Sequence, residues 1–141
     1  MTYRWLPHTA DVRAHIAAPT LSGVLQDATA VVRELLVGGS AVLPGETRAV
    51  AVTGSDEAEL LLAFLRALFE QYHLDQFVPA VAELAEPAMG ASGPAVSGTI
   101  YGERFDASRH EPQPEVKAVT RHGLVVKREQ DAWTADVLFD V

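Results

Sequence analysis

The chain has 141 residues, of which 48% are hydrophobic, and this is enough for one domain with a single core over residues 1–141. The absence of cysteine excludes disulfides, thiolate zinc sites and cysteine nucleophiles. Nineteen acids against eleven bases give a formal net charge of -8, which disfavours direct nucleic-acid binding and favours a basic protein partner or a cation. No apolar run approaches the ~20 residues that span a bilayer and no leader is evident, so we expect a cytoplasmic protein without membrane contact.

Two amphipathic helices are predicted. The first begins after Thr20, its expected N-cap, and ends at the glycine pair that follows Val37. The second begins at Asp56, which together with Glu59 has the form of a capping box. Apolar residues recur at helical spacing in both segments: Leu21, Val24, Leu25, Ala28, Val31, Val32, Leu35 and Leu36 in the first, and Leu60, Leu61, Phe64, Leu65, Leu68, Phe69 and Tyr72 in the second.

Short runs of β-branched and alternating residues predict the strands. They cover residues 3–6, 12–17, 48–53, 77–86, 95–105, 116–120, 124–127 and 133–139, with loops over 87–94 and 106–114. Most of these strands follow one another without an intervening helix, which favours antiparallel pairing. The predicted fold class is therefore α+β, a mostly antiparallel or mixed sheet of about seven strands with two main helices.

Three carboxylates stand at the ends of the predicted set of strands. Asp11 begins a strand, Asp140 ends the last one, and Val141 adds a main-chain carboxylate. If the first and last strands are neighbours, these anions converge, and they repel one another unless a cation lies among them. Oxygen donors favour Ca²⁺, Mg²⁺ or Mn²⁺ over zinc. From the residues alone the simpler interpretation is favoured, in which Asp11 caps a turn and the C-terminus frays in solvent.

A second polar feature is the segment from Gly102 to Gly123, where ionisable side chains are unusually dense. Such side chains require solvent, ion pairs or a ligand. They are Glu103, Asp106, Arg109, His110, Glu111, Glu115, Lys117, Arg121 and His122. The three histidines His8, His110 and His122 match no zinc spacing, so a structural role is favoured for each. Lys117 is expected to face solvent from an alternating strand unless it binds a phosphate or a carboxylate, and no Gly-rich phosphate loop or GxSxG motif is present.

A series of short motifs runs along the chain in a fixed order. They are His8-Thr9-Ala10-Asp11, Asp56-x-Ala58-x-Leu60-Leu61, Gly102-Glu103-x-x-Asp106-x-x-x-His110, Glu115-x-Lys117-Ala118-Val119-Thr120-x-His122, a late Trp133, and Phe139-Asp140-Val141. Together these motifs resemble the archease family over nearly the whole chain. The Lys117 to His122 motif is the strongest element.

The resemblance implies a small cytosolic α+β protein that is not itself an enzyme. Its partner would be the GTP-dependent RNA-splicing ligase of tRNA splicing and RNA repair, with RNA contacted indirectly if at all. The protein would promote guanylylation of that ligase and sustain its multiple turnover. The family's metal site maps here to Asp11, Asp140 and the carboxylate of Val141, with Ca²⁺ as the first candidate and Mg²⁺ or Mn²⁺ as alternatives.

The same resemblance marks further residues as candidates for a partner surface: His8, Glu103, Asp106, His110, Lys117 and His122. The sequence departs from the family pattern at two positions. Arg121 stands where an aromatic residue is usual, and Val141 stands where isoleucine is frequent. The second change leaves the main-chain carboxylate unaltered, whereas the first affects partner contacts or the packing of His122.

Two other functions use the same residues. One is a metal-dependent phosphodiesterase or hydrolase built on the three carboxylates, although a two-metal site needs ligands for ions ~4 Å apart. The other is a metal-stabilised scaffold for a different protein partner. Activity abolished by a chelator would support the first, and a pull-down of an unrelated protein would support the second.

Overall fold

The computed structural model describes residues 11–141, and these form two helices and seven strands. Along the chain they are β1 (Asp11–Ala18), α1 (Leu21–Val37), β2 (Glu46–Thr53), α2 (Glu57–Asp75), β3 (Phe77–Leu84), β4 (Ala88–Gly90), β5 (Gly93–Arg104), β6 (Ala118–Glu129) and β7 (Ala132–Asp140). The predicted strand over residues 3–6 lies outside the described residues. Within residues 11–141, neither helix combines the length and apolarity needed to cross a bilayer.

Both helices begin at the predicted caps. The Thr20 side chain accepts a hydrogen bond from the backbone N–H of Gly23 at 3.0 Å. The Asp56 carboxylate accepts one from the N–H of Glu59 at 2.8 Å. Each cap satisfies a backbone donor that the first helical turn leaves without a partner. At the other end of α1, Gly38 has φ 61°, which is the left-handed region that glycine enters without steric strain.

The strands form two antiparallel sheets, which confirms the predicted α+β class. One sheet has the order β1-β7-β6, and the other has the order β2-β5-β3 with β4 paired to β5. The β1–β7 pairing brings the start and the end of the described chain together. Pairing of strands that are neighbours in sequence, such as β6 with β7, follows from short connections.

Two strand predictions were wrong. Residues 116–120 and 124–127 were predicted as separate strands, but a single strand, β6, runs from Ala118 to Glu129 with a register shift between Thr120 and Val125. A bulge inserts residues without ending the strand, so the polar interruption only resembled a turn. The predicted loop over 87–94 contains the short strand β4, which pairs antiparallel with the first residues of β5.

One hydrophobic core joins both helices to both sheets. Buried residues of α1, α2, β5 and β7 belong to the same cluster, which includes Leu25, Phe64, Ile100 and Phe139. The Phe139 ring meets the edge of the Phe69 ring with centroids 6.1 Å apart, so the last strand is held against α2. This contact fixes the C-terminal end of β7, where Asp140 follows.

Candidate metal centre and partner surface

Asp11 and Asp140 lie directly opposite each other in the β1–β7 ladder. Side chains at opposed positions of an antiparallel pair share one face of the sheet, with Cβ atoms roughly 4.5–5.5 Å apart. Two carboxylates at that separation destabilise the pairing unless a cation or a proton compensates their charge. The topology therefore supplies the convergence of the two acids that the residues alone could not show.

The surroundings of Asp140 suit a cation. Its Oδ1 atom is buried and accepts no hydrogen bond from the residues that the structure describes. A buried acceptor without a partner costs about 1–3 kcal/mol, and a hard cation is one way to satisfy a carboxylate oxygen. The main chain of Asp140 is fixed on the β6 side, where the Lys117 N–H donates to its carbonyl oxygen at 2.7 Å.

The side chains alone do not complete a metal site. Within residues 11–141, no group of three side chains from His, Cys, Asp and Glu could hold an ion. Asp11 is exposed and Asp140 is half-buried, so they offer two side-chain ligands, of which Asp11 is open to solvent. The third ligand of the prediction is the main-chain carboxylate of Val141, which directly follows Asp140. The residues present fit a divalent cation, and the metal site itself stays a prediction.

A second polar cluster centres on Glu103 near the end of β5. Its Oε2 atom accepts hydrogen bonds from the Leu43 N–H at 2.7 Å and from Arg109 Nη1 at 3.0 Å. Arg109 Nη2 pairs with the other oxygen, and His110 Nε2 lies 3.1 Å from Oε2. The Arg109 guanidinium is the main reason why the pKa of the Glu103 carboxyl falls to about 2. Glu103 is therefore a carboxylate at neutral pH, and it joins the loop after β5 to the segment after α1.

His110 has a defined tautomer in this cluster. Its Nδ1 atom accepts a hydrogen bond from the Asp106 N–H at 2.9 Å, so the ring proton lies on Nε2 and points to Glu103. The His110 side chain is fully buried. Asp106 also accepts from the N–H and hydroxyl of Ser108, which closes a tight turn. The structure thus gives Glu103, Asp106 and His110 internal partners, and of the three only Asp106 is widely exposed, at 44%.

Lys117 lies elsewhere, on the rim of a groove between α2 and the start of β6. The groove has a volume of about 310 Å³, and its lining includes Arg66, Phe69 and Val116. The Lys117 side chain is exposed, as predicted, although the residue lies just before β6 and not in a strand. Sequence reasoning missed Arg66, because nothing local connects the middle of α2 with β6. His8, another predicted candidate, lies outside the described residues.

The model of the Archease protein family (MTH1598/TM1083) matches residues 3–141. The chain belongs to the archease family. Among similar proteins, protein archease of Methanopyrus kandleri is 31% identical over 141 residues, with 100% of both chains covered. Protein archease of Pyrococcus abyssi is 28% identical, with 98% of this chain and 99% of the relative covered.

Two solved structures share the archease fold. The solution structure of Methanobacterium thermoautotrophicum protein 1598 has a TM-score of 0.80 at 26% identity, with 96% of each chain covered. The crystal structure of a Thermotoga maritima archease, described as a possible chaperone, has a TM-score of 0.70 with 100% of this chain and 98% of that chain covered. Its 19% identity supports the fold alone. The predicted family and the predicted fold class are both confirmed.

Arg121, one of the two residues expected to depart from the archease pattern, has a partner in this fold. Its Nε and Nη2 atoms contact the two carboxylate oxygens of Glu59 at 2.6 and 3.2 Å. This pairing lowers the pKa of the Glu59 carboxyl and ties the bulge of β6 to the first turn of α2. His122, the next residue, is exposed, and its N–H donates to the Thr120 hydroxyl at 3.1 Å. The sequence could not reveal the Arg121–Glu59 pair because the two residues are 62 positions apart.

Proposed function

We propose that this chain is a non-catalytic accessory factor that promotes guanylylation and multiple turnover of a GTP-dependent RNA-splicing ligase. Membership of the archease family supports the proposal, together with a net charge of -8 that suits docking on a basic protein surface. In the same proposal, RNA is contacted through the ligase and the chain works in the cytoplasm. The ligase is the specific partner that the family resemblance implies.

The proposal includes a divalent cation held by Asp11, Asp140 and the main-chain carboxylate of Val141, with Ca²⁺ tested first. The observation that carries it is the direct opposition of Asp11 and Asp140 in the β1–β7 ladder. The buried Oδ1 of Asp140, which has no hydrogen-bond partner among residues 11–141, adds support. When bound, the cation would neutralise the carboxylates and offer a positive centre at the end of the sheet.

The chain's own residues then have distinct tasks. Asp11 is exposed, so it can reach both the cation and a partner. The Lys117 N–H holds the backbone of Asp140 in place, and the buried Glu103–His110 pair holds the loop that leads towards β6. Faster guanylylation requires that this surface bind the reactive conformation of the ligase better than its resting conformation. A tenfold acceleration needs about 1.4 kcal/mol of such preference.

The decisive experiment measures labelling of the cognate ligase by GTP, with limiting ligase, in the presence and absence of this chain. We expect faster labelling and many ligations per ligase molecule. An absence of both effects, with the correct ligase and metal supplied, would refute the accessory role. Phosphodiester hydrolysis that a chelator abolishes would then favour the hydrolase alternative.

A variant series separates the metal from the accessory role. Asp11→Asn should reduce Ca²⁺ affinity and ligase stimulation together while the fold persists. Asp136→Asn is the matched control, since Asp136 lies on the same sheet but hydrogen-bonds His15 at 3.0 Å. One added residue after Val141 should weaken Ca²⁺ binding by converting the carboxylate into an amide. Ca²⁺ at 100 times its Kd should stabilise the native protein by about 2.7 kcal/mol. Full stimulation by Asp11→Asn would remove the cation from the mechanism and leave the accessory role intact.

A further inference from the structure

The edge strand β2 is open to pairing with another strand. In the described part of the chain, β2 forms a ladder with β5 alone. An antiparallel ladder uses the backbone groups of alternate residues, so the N–H and C=O groups of the others point away from the sheet. Such a row of groups is a template for an added strand.

Three other edge strands carry protecting features that residues 49–53 of β2 lack. Strand β3 contains Pro79 at a register shift, and β6 has a bulge after Thr120 together with several charged residues. Strand β1 carries Arg13 and His15. Prolines, bulges and charges are the usual means by which proteins prevent edge pairing. In β2 the stretch 49–53 has the sequence Ala-Val-Ala-Val-Thr, without charge or proline, and its register with β5 is regular.

A groove opens between the β2 side of the sheet and α2, and it reaches under the sheet to Ile100 of β5 and Phe77 of β3. It has a volume of about 170 Å³ and is lined by residues 48–52 of β2 and by Ala67, Leu68 and Gln71 of α2. On the β2 side the buried Val50 and the half-buried Val52 face α2, whereas Ala49 and Ala51 are exposed on the opposite face of the strand and line the groove with their backbone. An edge strand next to a helix-walled groove is the arrangement in which peptides bind by strand addition: backbone bonds supply affinity, and the groove accepts alternate side chains.

The charges at the two ends of β2 favour one kind of added strand, a segment with basic residues at its ends. Glu46 lies at the start of the strand, and Asp56 and Glu57 follow its end, with Glu46 and Asp56 exposed. Arg48 is paired with Asp75 at 2.7 Å and also lies 3.6 Å from Glu46, whose side chain remains 47% exposed. If two copies of this chain paired antiparallel through β2, the acid at the start of one strand would approach the acids after the end of the other. That arrangement is repulsive, whereas a strand with basic ends is complementary.

We propose that the β2 edge is a docking site for an extended segment of a protein partner. The segment has about five uncharged residues that alternate between β-branched and small side chains, with Lys or Arg at both ends. It adds to the sheet beside β2 and places alternate side chains in the groove. This inference stands independently of the ligase and of the metal.

The test measures binding of a fluorescent peptide to the full chain by anisotropy. The probe has alternating valine and threonine at five central positions and two lysines at each end. We expect saturable binding that weakens about ten-fold in Ala51→Lys, which puts a charge on the edge. Glu46→Gln should weaken binding about two- to three-fold, and less at high salt. Ala17→Lys, the same change at an exposed alanine of β1, should leave affinity unchanged.

Three results would overturn the proposal. The first is no binding by the native chain. The second is equal affinity for the lysine-ended probe and for one with glutamate at both ends. The third is a dimer of the native chain, seen by light scattering, that Ala51→Lys dissociates, because the occupant would then be a second copy. Loss of peptide binding counts as support only if thermal unfolding shows that Ala51→Lys is folded, and Glu46→Gln supplies an independent measurement.

Discussion

Replacing Glu103 by glutamine tests whether the buried polar cluster stabilises the fold through its charge. The Glu103 carboxylate is 13% exposed and receives hydrogen bonds from the Leu43 N–H, Arg109 and His110. Glutamine keeps the shape of the side chain but removes the charge, and it turns one acceptor into a donor that faces other donors. The change therefore weakens the contacts by which Glu103 holds Arg109, His110 and the Leu43 N–H.

The expected loss of folding stability in Glu103→Gln can be calculated from the pKa of Glu103. Its decrease from 4.5 to about 2 corresponds to roughly 3 kcal/mol at 1.36 kcal/mol per unit. Solvent screening at the partly exposed side reduces this, and glutamine retains one acceptor. We expect Glu103→Gln to lower the free energy of unfolding by about 1.5–2.5 kcal/mol and Tm by about 5–8 °C at pH 7.

Urea denaturation followed by circular dichroism between pH 7 and pH 3 measures both the loss and its pH dependence. The folded state holds the pKa of Glu103 below its unfolded value, so its contribution is complete above pH 4.5 and is lost as the pH falls towards 2. The difference between native protein and Glu103→Gln should accordingly be constant above pH 6 and shrink below pH 4.5.

The exposed ion pair between Glu129 and Lys127 supplies a control for this test. Glu129 pairs with Lys127 at 2.8 Å, but both side chains are more than half exposed, so Glu129→Gln should change stability by less than about 0.5 kcal/mol. If Glu103→Gln behaves like this control, or if its effect is the same at pH 7 and pH 3, the charge of Glu103 does not stabilise the fold.

Two further predictions concern packing. Phe139→Ala should cost about 3–5 kcal/mol in urea denaturation, because the buried ring packs on Phe69, and a loss below ~1.5 kcal/mol would show that neighbouring side chains fill the cavity. Gly102→Ala should cost more than about 2 kcal/mol, because its Cβ would collide with the Val78 carbonyl of β3. Gly39→Ala is the control, with nothing within 4 Å of the added carbon. Equal stability of the two alanine variants would mean that β3 and β5 separate freely.

The local parts of the fold could be predicted because their causes lie within a few residues. Thr20 and Asp56 cap helices through bonds to residues three positions ahead, so composition and spacing revealed both helix starts. Strand β6 was harder. The run Arg-His-Gly resembles a turn, and only pairing with β7 shows that the strand continues past the bulge.

In the candidate site, too, the sequence indicates the residue types but not which residues come together. Asp11 and Asp140 are residue types that can bind a cation. The residues alone nevertheless favour a turn cap and a frayed C-terminus, and only the family resemblance implies a metal site. The two acids face each other only because β1 and β7 are neighbours in the sheet, and this strand order is a property of the tertiary structure. Similarly, the motif around Glu103 predicted that this residue is a functional candidate, but it could not predict the hydrogen bond from the distant Leu43 N–H.

The sequence by itself determined the α+β class, the family, the starts of both helices, the end of α1 and the types of residue able to hold a cation, because these depend on composition, short-range capping and motifs in order. Only the tertiary structure decided that Asp11 faces Asp140, that Arg121 pairs with Glu59 and that β2 pairs with β5 alone among the strands of residues 11–141. Each of these depends on which distant segments pack together. The packing of these segments is determined by the burial of one shared core, to which helices and strands from the whole described chain contribute.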